Sequence, residues 1–106
     1  MLKEQIIFND TVGNIADTTS VDVDLSSGAV PATLYATGLQ TGESIDIYLK
    51  PFDTGTFSAL VDTDPVQLTP TNNAYIITAP GYYRFQFEGN ADAANAATLQ
   101  VGLTIS

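Results

Sequence analysis

The feature that most constrains the fold is strict alternation of apolar and polar residues near the C-terminus. In residues 83–88 every second side chain is aromatic, and in Thr98–Ile105 every second one is aliphatic. Successive side chains of a β-strand point to opposite faces, so the pattern predicts two strands, each with one buried and one solvated face. Strands of this kind belong to an antiparallel sheet that covers a core from one side.

Seven further runs have strand character and recur at short, fairly even spacing. They cover residues 5–8, 20–25, Ala32–Thr37, Ser44–Lys50, 56–61, 66–69 and 74–78. Gly and Pro lie between the runs, and none of the five Pro residues interrupts an alternating run, as strands that donate ladder hydrogen bonds require. The chain is therefore predicted to be all-β: an antiparallel β-sandwich of about eight strands, jelly-roll or immunoglobulin-like.

The inward positions of these runs define a predicted core. It comprises Val23, Leu34, Ile45, Ile47, Leu49, Phe57, Tyr83, Phe85, Phe87, Leu99, Val101 and Leu103. A chain of 106 residues can bury such a core without disulfides or a structural metal, so residues 1–106 are expected to form a single domain. Ile15 is predicted to anchor the long connection at residues 9–19.

The Ala-rich stretch at residues 91–97 allows two interpretations. Ala is the best helix former, so one interpretation is a short helix. Seven residues are fewer than the roughly twelve that an isolated helix needs to be marginally stable. A single turn or a tight connection of small residues is therefore favoured.

Composition removes several classes of function. The chain has no Cys and no His, which excludes disulfide, thiol and His-based acid–base chemistry. Its net charge of −9 opposes nucleic-acid binding, because that affinity comes from Lys and Arg neutralising phosphates. No run approaches the ~18 apolar residues of a membrane span, and the N-terminus lacks the apolar segment of a secretory signal. We expect a protein made in the cytoplasm, with no nucleic-acid or membrane partner.

The carboxylates are the remaining candidates for chemistry. Asp22 and Asp24 lie two apart on the solvated face of a strand, which suits a solvated pair better than a catalytic one. Asp62 and Asp64, with Asp53 upstream, resemble half of a calcium loop, but the Gly and closing Glu of such a loop are missing. We expect no enzyme activity, no catalytic residue, no cofactor and no metal site.

Two groups of residues are candidates for partner contact. Tyr35, Tyr48 and Tyr82 are predicted to point away from the core, where aromatic rings serve protein contacts or sugar stacking. The second group is apolar and lies at the N-terminus: Leu2, Ile6, Ile7 and Phe8. Residues 1–8 are predicted to be either an edge strand of the domain's own sheet or an adhesive arm that extends a neighbour's sheet.

Three segments resemble a pattern found in small phage-encoded virion β-proteins. These are A-T-G-L-Q-T-G-E-S-I-D-I-Y at residues 36–48, the stretch at residues 56–73 that contains Q-L-T, and A-P-G-Y-Y-R-F at residues 79–85. The resemblance implies a virion structural protein on the capsid surface, of the capsid decoration or cement type. It also implies the major capsid protein or another virion protein as partner, a dimer or trimer, and no catalytic residue. A tail or fibre component is the nearest alternative.

A carbohydrate-binding or adhesin domain is the rival hypothesis from another class. In this hypothesis Tyr35, Tyr48 or Tyr82 stacks on a sugar ring, and neighbouring polar side chains such as Asp46 and Lys50 supply hydrogen bonds. It ranks second because the chain contains no Trp, which offers the largest stacking face.

Overall fold

The computed structural model describes residues 3–61, 64–89 and 98–105. Within these ranges the strands are β1 (Lys3–Thr11), β2 (Ser20–Asp24), β3 (Ala32–Thr37), β4 (Ser44–Lys50), β5 (Ser58–Ala59), β6 (Gln67–Leu68), β7 (Ala74–Ile77), β8 (Tyr82–Glu88) and β9 (Thr98–Ile105). A single 3₁₀ turn follows β1 at Val12–Asn14, and the described residues contain no α-helix. The predicted all-β class is confirmed.

The strands form two antiparallel sheets that pack face to face. Sheet A has the order β1-β9-β3-β7, and sheet B has the order β2-β8-β4-β5, with β6 also paired to β4. The strand pairs are nested along the chain: β1 pairs with β9, β2 with β8, β3 with β7, and β4 with β5. One antiparallel ribbon is thus rolled across both layers, which is jelly-roll connectivity rather than the immunoglobulin-like alternative.

The core lies between the sheets and contains nearly all of the predicted residues. Val23, Leu34, Ile45, Ile47, Tyr83, Phe85, Phe87, Leu99, Val101 and Leu103 are buried. Leu49 is half-buried and packs against them. The alternating inward side chains of both sheets therefore form a buried core without disulfide bonds.

Phe57 and its segment are where the core prediction is wrong. Residues 56–61 form only the two-residue strand β5, and Ala59 and Val61 are exposed. Leu60, not its neighbours, packs on the core, so the segment is displaced by one residue from the predicted alternation. The cause is that the strand beside β4 is split in two. β5 pairs with the last part of β4, and β6 pairs with its first part.

The N-terminal part of the chain extends the sandwich further than predicted. β1 continues to Thr11, which shortens the connection that was expected to begin at residue 9. Ile15 is buried as predicted, and Val12 in the 3₁₀ turn is fully buried beside it in the core. Leu2 and residues 91–97 lie outside the described residues, so the predictions about them are untested.

Candidate functional site

The three outward Tyr residues lie on two opposite faces of the sandwich. Tyr35 is on β3 in sheet A, whereas Tyr48 on β4 and Tyr82 on β8 belong to sheet B. All three alternate with core residues and are at least partly exposed. They therefore cannot form one contact surface, and the prediction that groups them is corrected by the topology.

A β-bulge separates the N-terminal apolar residues into exposed and buried ones. The register between β1 and β9 shifts between Ile6 and Phe8, so one extra residue is fitted into β1. As a result Ile7 and Phe8 both turn into the core, where they are buried, while Ile6 stays outside. Ile7 and Phe8 are thus core residues and not contact residues, and Ile6 remains a candidate.

The outer face of sheet A carries an exposed apolar row that crosses all four strands. Ile6, Gly102, Tyr35 and Ala74 lie side by side in the strand register. Ile76 lies in the adjacent row, and the exposed fractions are 71% for Ile6, 48% for Tyr35 and 59% for Ile76. We call the whole set of outward positions the A face: Glu4, Ile6, Asn9, Thr11, Thr33, Tyr35, Thr37, Ala74, Ile76, Thr98, Gln100, Gly102 and Thr104.

The A face is almost free of charge in a strongly acidic chain. Glu4 is its single charged position, although the chain carries a net charge of −9. The polar positions are Thr, Asn and Gln, among them Gln100, whose side-chain amide lies 3.5 Å from the Asn9 side-chain oxygen. Apart from Glu4, covering such a surface brings no charge into a dry environment, so its desolvation costs little. Contiguous exposed apolar residues with a polar rim are typical of interaction surfaces.

Two shallow depressions of equal size, about 240 Å³ each, lie on the A face. Ile6, Gly102 and Tyr35 line both of them and therefore form the ridge between them. Gly102 contributes no side chain, and a Cβ built there would have no close neighbour. The A face is thus a ridge flanked by two hollows.

The outer face of sheet B is charged, and an ion pair joins two of its strands. Arg84 on β8 donates two hydrogen bonds to the Asp22 carboxylate on β2, at 2.7 Å and 3.0 Å. This pairing lowers the pKa of Asp22, an effect that partial burial opposes, and raises the pKa of Arg84. The Lys50 ammonium donates to the Asp53 backbone carbonyl at 2.9 Å.

Phe57 lies against both cations of this face. The Arg84 guanidinium lies 4.2 Å and the Lys50 ammonium 4.8 Å from the centre of the Phe57 ring. Lys50 also lies 5.5 Å from the centre of the Tyr82 ring. These cation–π contacts stabilise the Phe57 ring at its position outside the core.

A depression of about 300 Å³ lies beside this cluster. Its lining includes Asp22, Asp24, Lys50, Phe57 and Tyr82. The Asp24 carboxylate accepts a hydrogen bond from the Ser26 backbone N–H at 2.8 Å, and the Ser26 side chain and backbone together lower the pKa of Asp24. The Asp22, Asp24 and Lys50 side chains of the depression are therefore already engaged within the chain.

Sequence reasoning missed two residues of the A face. Ile76 was placed in a strand but given no role, and Gly102 was treated as an ordinary outward position. Two features of the sequence carried a signal: Ile76 is a bulky apolar residue at a solvated position, and Gly102 leaves Tyr35 without a facing side chain on the neighbouring strand. This signal is visible only once the order β9-β3-β7 is known, because these strands are far apart in sequence.

Comparison of the chain with protein-family models, with curated proteins and with solved structures found no match. In the described parts of the chain, no three acidic side chains lie close enough together to hold a metal ion. Asp62 is outside those parts, and Asp53 and Asp64 line different depressions. No described helix is long and apolar enough to cross a membrane.

Proposed function

We propose that this chain is a non-enzymatic structural protein of a virion, of the capsid decoration or cement type, which assembles on the capsid surface through the A face. The observation that carries the proposal is the A face itself: a row of exposed apolar side chains without charge in a chain of net charge −9. Such a surface costs little to desolvate and gains free energy when another protein covers it.

The rest of the molecule suits this role. The sandwich has a continuous core, and the ion pair of Asp22 and Arg84 joins two strands of sheet B, which suits a rigid body placed repeatedly in a symmetric array. Jelly rolls occur in viral capsid proteins and also in lectins, so the fold supports a virion role by analogy alone. The resemblance of residues 36–48, 56–73 and 79–85 to phage virion β-proteins adds a second, independent argument. The partner is the major capsid protein or another virion protein.

The copy number on purified particles tests this proposal. We expect the chain to be present at a number that matches a capsid lattice, and its removal to lower the resistance of the particles to heat. Ile76→Lys should prevent incorporation, whereas Phe52→Lys, at a residue that is 60% exposed in the loop after β4, should leave it intact. A few copies per particle would indicate the tail or fibre alternative, and absence from particles would overturn the virion proposal.

Carbohydrate binding is the second candidate, favoured by the depression on sheet B that Phe57 and Tyr82 line among carboxylates. It ranks lower because a sugar must stack on a free ring face, and Lys50 and Arg84 cover the rings of this site. Tyr35 lies on the other sheet and cannot contribute. Isothermal titration should then show glycan binding that Tyr82→Ala abolishes in a chain that remains folded, and no binding across a glycan array would eliminate this candidate.

A further inference from the structure

We propose that the A face binds a second copy of this chain, giving a face-to-face dimer with two-fold symmetry. This deepens the proposed function, because it rests on the A face being an assembly surface and names the partner that covers it. In a two-fold interface the same patch is used on both copies, so the patch must be complementary to itself. The A face meets this condition in shape, in hydrogen bonding and in charge.

Shape complementarity follows from the ridge and its two hollows. Ile6 and Tyr35 form a ridge, and a hollow of about 240 Å³ lies on each side of it. When a second copy is turned over onto the first, the ridge of each can enter a hollow of the other. A flat or uniformly convex face would not allow this mutual fit.

Hydrogen bonding and charge are also compatible with an identical partner. Apart from Glu4, the rim is made of Thr, Asn and Gln side chains, each of which both donates and accepts hydrogen bonds. Two copies of one rim can therefore satisfy each other. With a net charge of −9, two chains repel at most orientations, and an almost uncharged face is where they can meet at the lowest electrostatic cost. A basic partner would instead be drawn to the carboxylates elsewhere on the molecule.

The size of the A face sets the expected strength of the association between two copies. Four strands about 4.8 Å apart, each about seven residues long at about 3.4 Å per residue, give a planar footprint of roughly 450 Å². Standard stable interfaces bury about 800 Å² on each partner, so this contact falls in the weak, transient class. A weak contact between copies suits a component that assembles on a symmetric surface, where many such contacts act together.

The sheet edges are poorer candidates for contact between copies. β1 is a long edge strand, but its bulge at Ile6 to Phe8 disrupts the regular ladder that a second strand would need. β2 forms the edge of sheet B and presents Asp22 and Asp24, whose charges would face the same charges of a second copy. Face-to-face contact through sheet A avoids both obstacles.

Sedimentation velocity of the purified chain, from about 20 μM to about 2 mM, tests the inference. We expect a reversible shift from monomer to dimer as the concentration rises. Ile6→Lys should reduce the association constant at least tenfold, because it places a charge on the ridge. Phe52→Lys should leave the association unchanged although it alters the net charge by the same amount. Electrostatic repulsion between whole chains cannot explain such a difference, because both variants reduce the net negative charge of the chain by the same amount.

Three results would overturn the dimer. The first is a chain that stays monomeric at 2 mM, the second is a dimer that survives Ile6→Lys, and the third is an equal loss with Phe52→Lys. NMR shift changes on dilution should map to outward residues of β1, β3 and β9, and changes confined to sheet B would also contradict it. A monomeric chain that is nevertheless found on particles refutes only the dimer, whereas a dimer absent from particles refutes only the virion role.

Discussion

The Tyr83 hydroxyl donates a hydrogen bond of 2.6 Å to the Ala79 backbone carbonyl, which ties the start of β8 to the corner that leads into it. The ring is buried, and burial raises the pKa of its hydroxyl. Tyr83→Phe keeps the ring and removes the bond, so we expect the free energy of unfolding in urea to fall by about 1 kcal/mol. Tyr35→Phe, at an exposed position, is the matched control and should change it by less than ~0.5 kcal/mol. Equal effects would show that the bond contributes nothing.

The pair of Asp22 and Arg84 predicts a pH-dependent contribution to stability. Because Arg84 lowers the pKa of Asp22 in the folded state, the contribution is complete above the unfolded pKa of about 3.9 and is lost as the pH falls through the lower, folded value. Both side chains are partly exposed, so Asp22→Asn should cost only ~0.2–1 kcal/mol at pH 7. Once the pH has fallen below the folded pKa of Asp22, the variant and the parent should unfold alike. Glu4→Gln removes a charge without touching Arg84 and should show no such loss.

At the scale of the elements, the loop between β3 and β4 depends on two glycines with positive φ. Gly38 has φ of +94° and Gly42 has φ of +85°, so a side chain is strained at either position. They differ in surroundings: a Cβ at Gly38 would overlap the Thr98 backbone carbonyl, while nothing lies near Gly42. Gly42→Ala should therefore cost about 1–2 kcal/mol, the strain alone. Gly38→Ala should cost more than about 3 kcal/mol, because the first residue of β9 must move.

Urea unfolding of the two glycine variants side by side measures this difference. Similar costs for both would mean that β9 shifts freely at Thr98, which would contradict the close packing of the β3 to β4 loop on that strand.

The elements also show how far alternation alone predicts this fold. β3, β4 and β9 begin and end at the predicted residues, because each has one regularly alternating buried side. The prediction fails at residues 56–61 and at Ile7, where a split strand and a bulge shift the alternation by one residue. Both irregularities are set by the partner strand, so a local pattern does not contain them.

For the whole molecule, the nested strand order decides which residues share a face. Sequence alternation identified Tyr35, Tyr48 and Tyr82 as outward but could not show that they lie on opposite sheets. The A face combines residues from β1, β3, β7 and β9, which only the ribbon topology brings together. The outward positions were thus largely predictable, while the candidate site was not.

The charge imbalance of the whole chain predicts that salt stabilises it. Twelve acidic and three basic residues give a net charge of −9, and compaction brings these charges closer together than they are in the unfolded chain. Raising NaCl from 0.01 M to 0.15 M shortens the Debye length from about 30 Å to about 8 Å and screens that repulsion. At pH 7 we therefore expect Tm to rise by several degrees, since about 1 kcal/mol corresponds to roughly 4 °C for a domain of this size.

The matched control for the salt series is the same protein near pH 4.1, the isoelectric point of the sequence. There the net charge is close to zero, so the same addition of NaCl should leave Tm unchanged. Both series belong at a protein concentration low enough to keep the chain monomeric, because salt would also promote contact between A faces. An equal rise at both pH values would mean that salt acts on burial rather than on charge. No rise at pH 7 would show that repulsion among the carboxylates does not limit the stability of the fold.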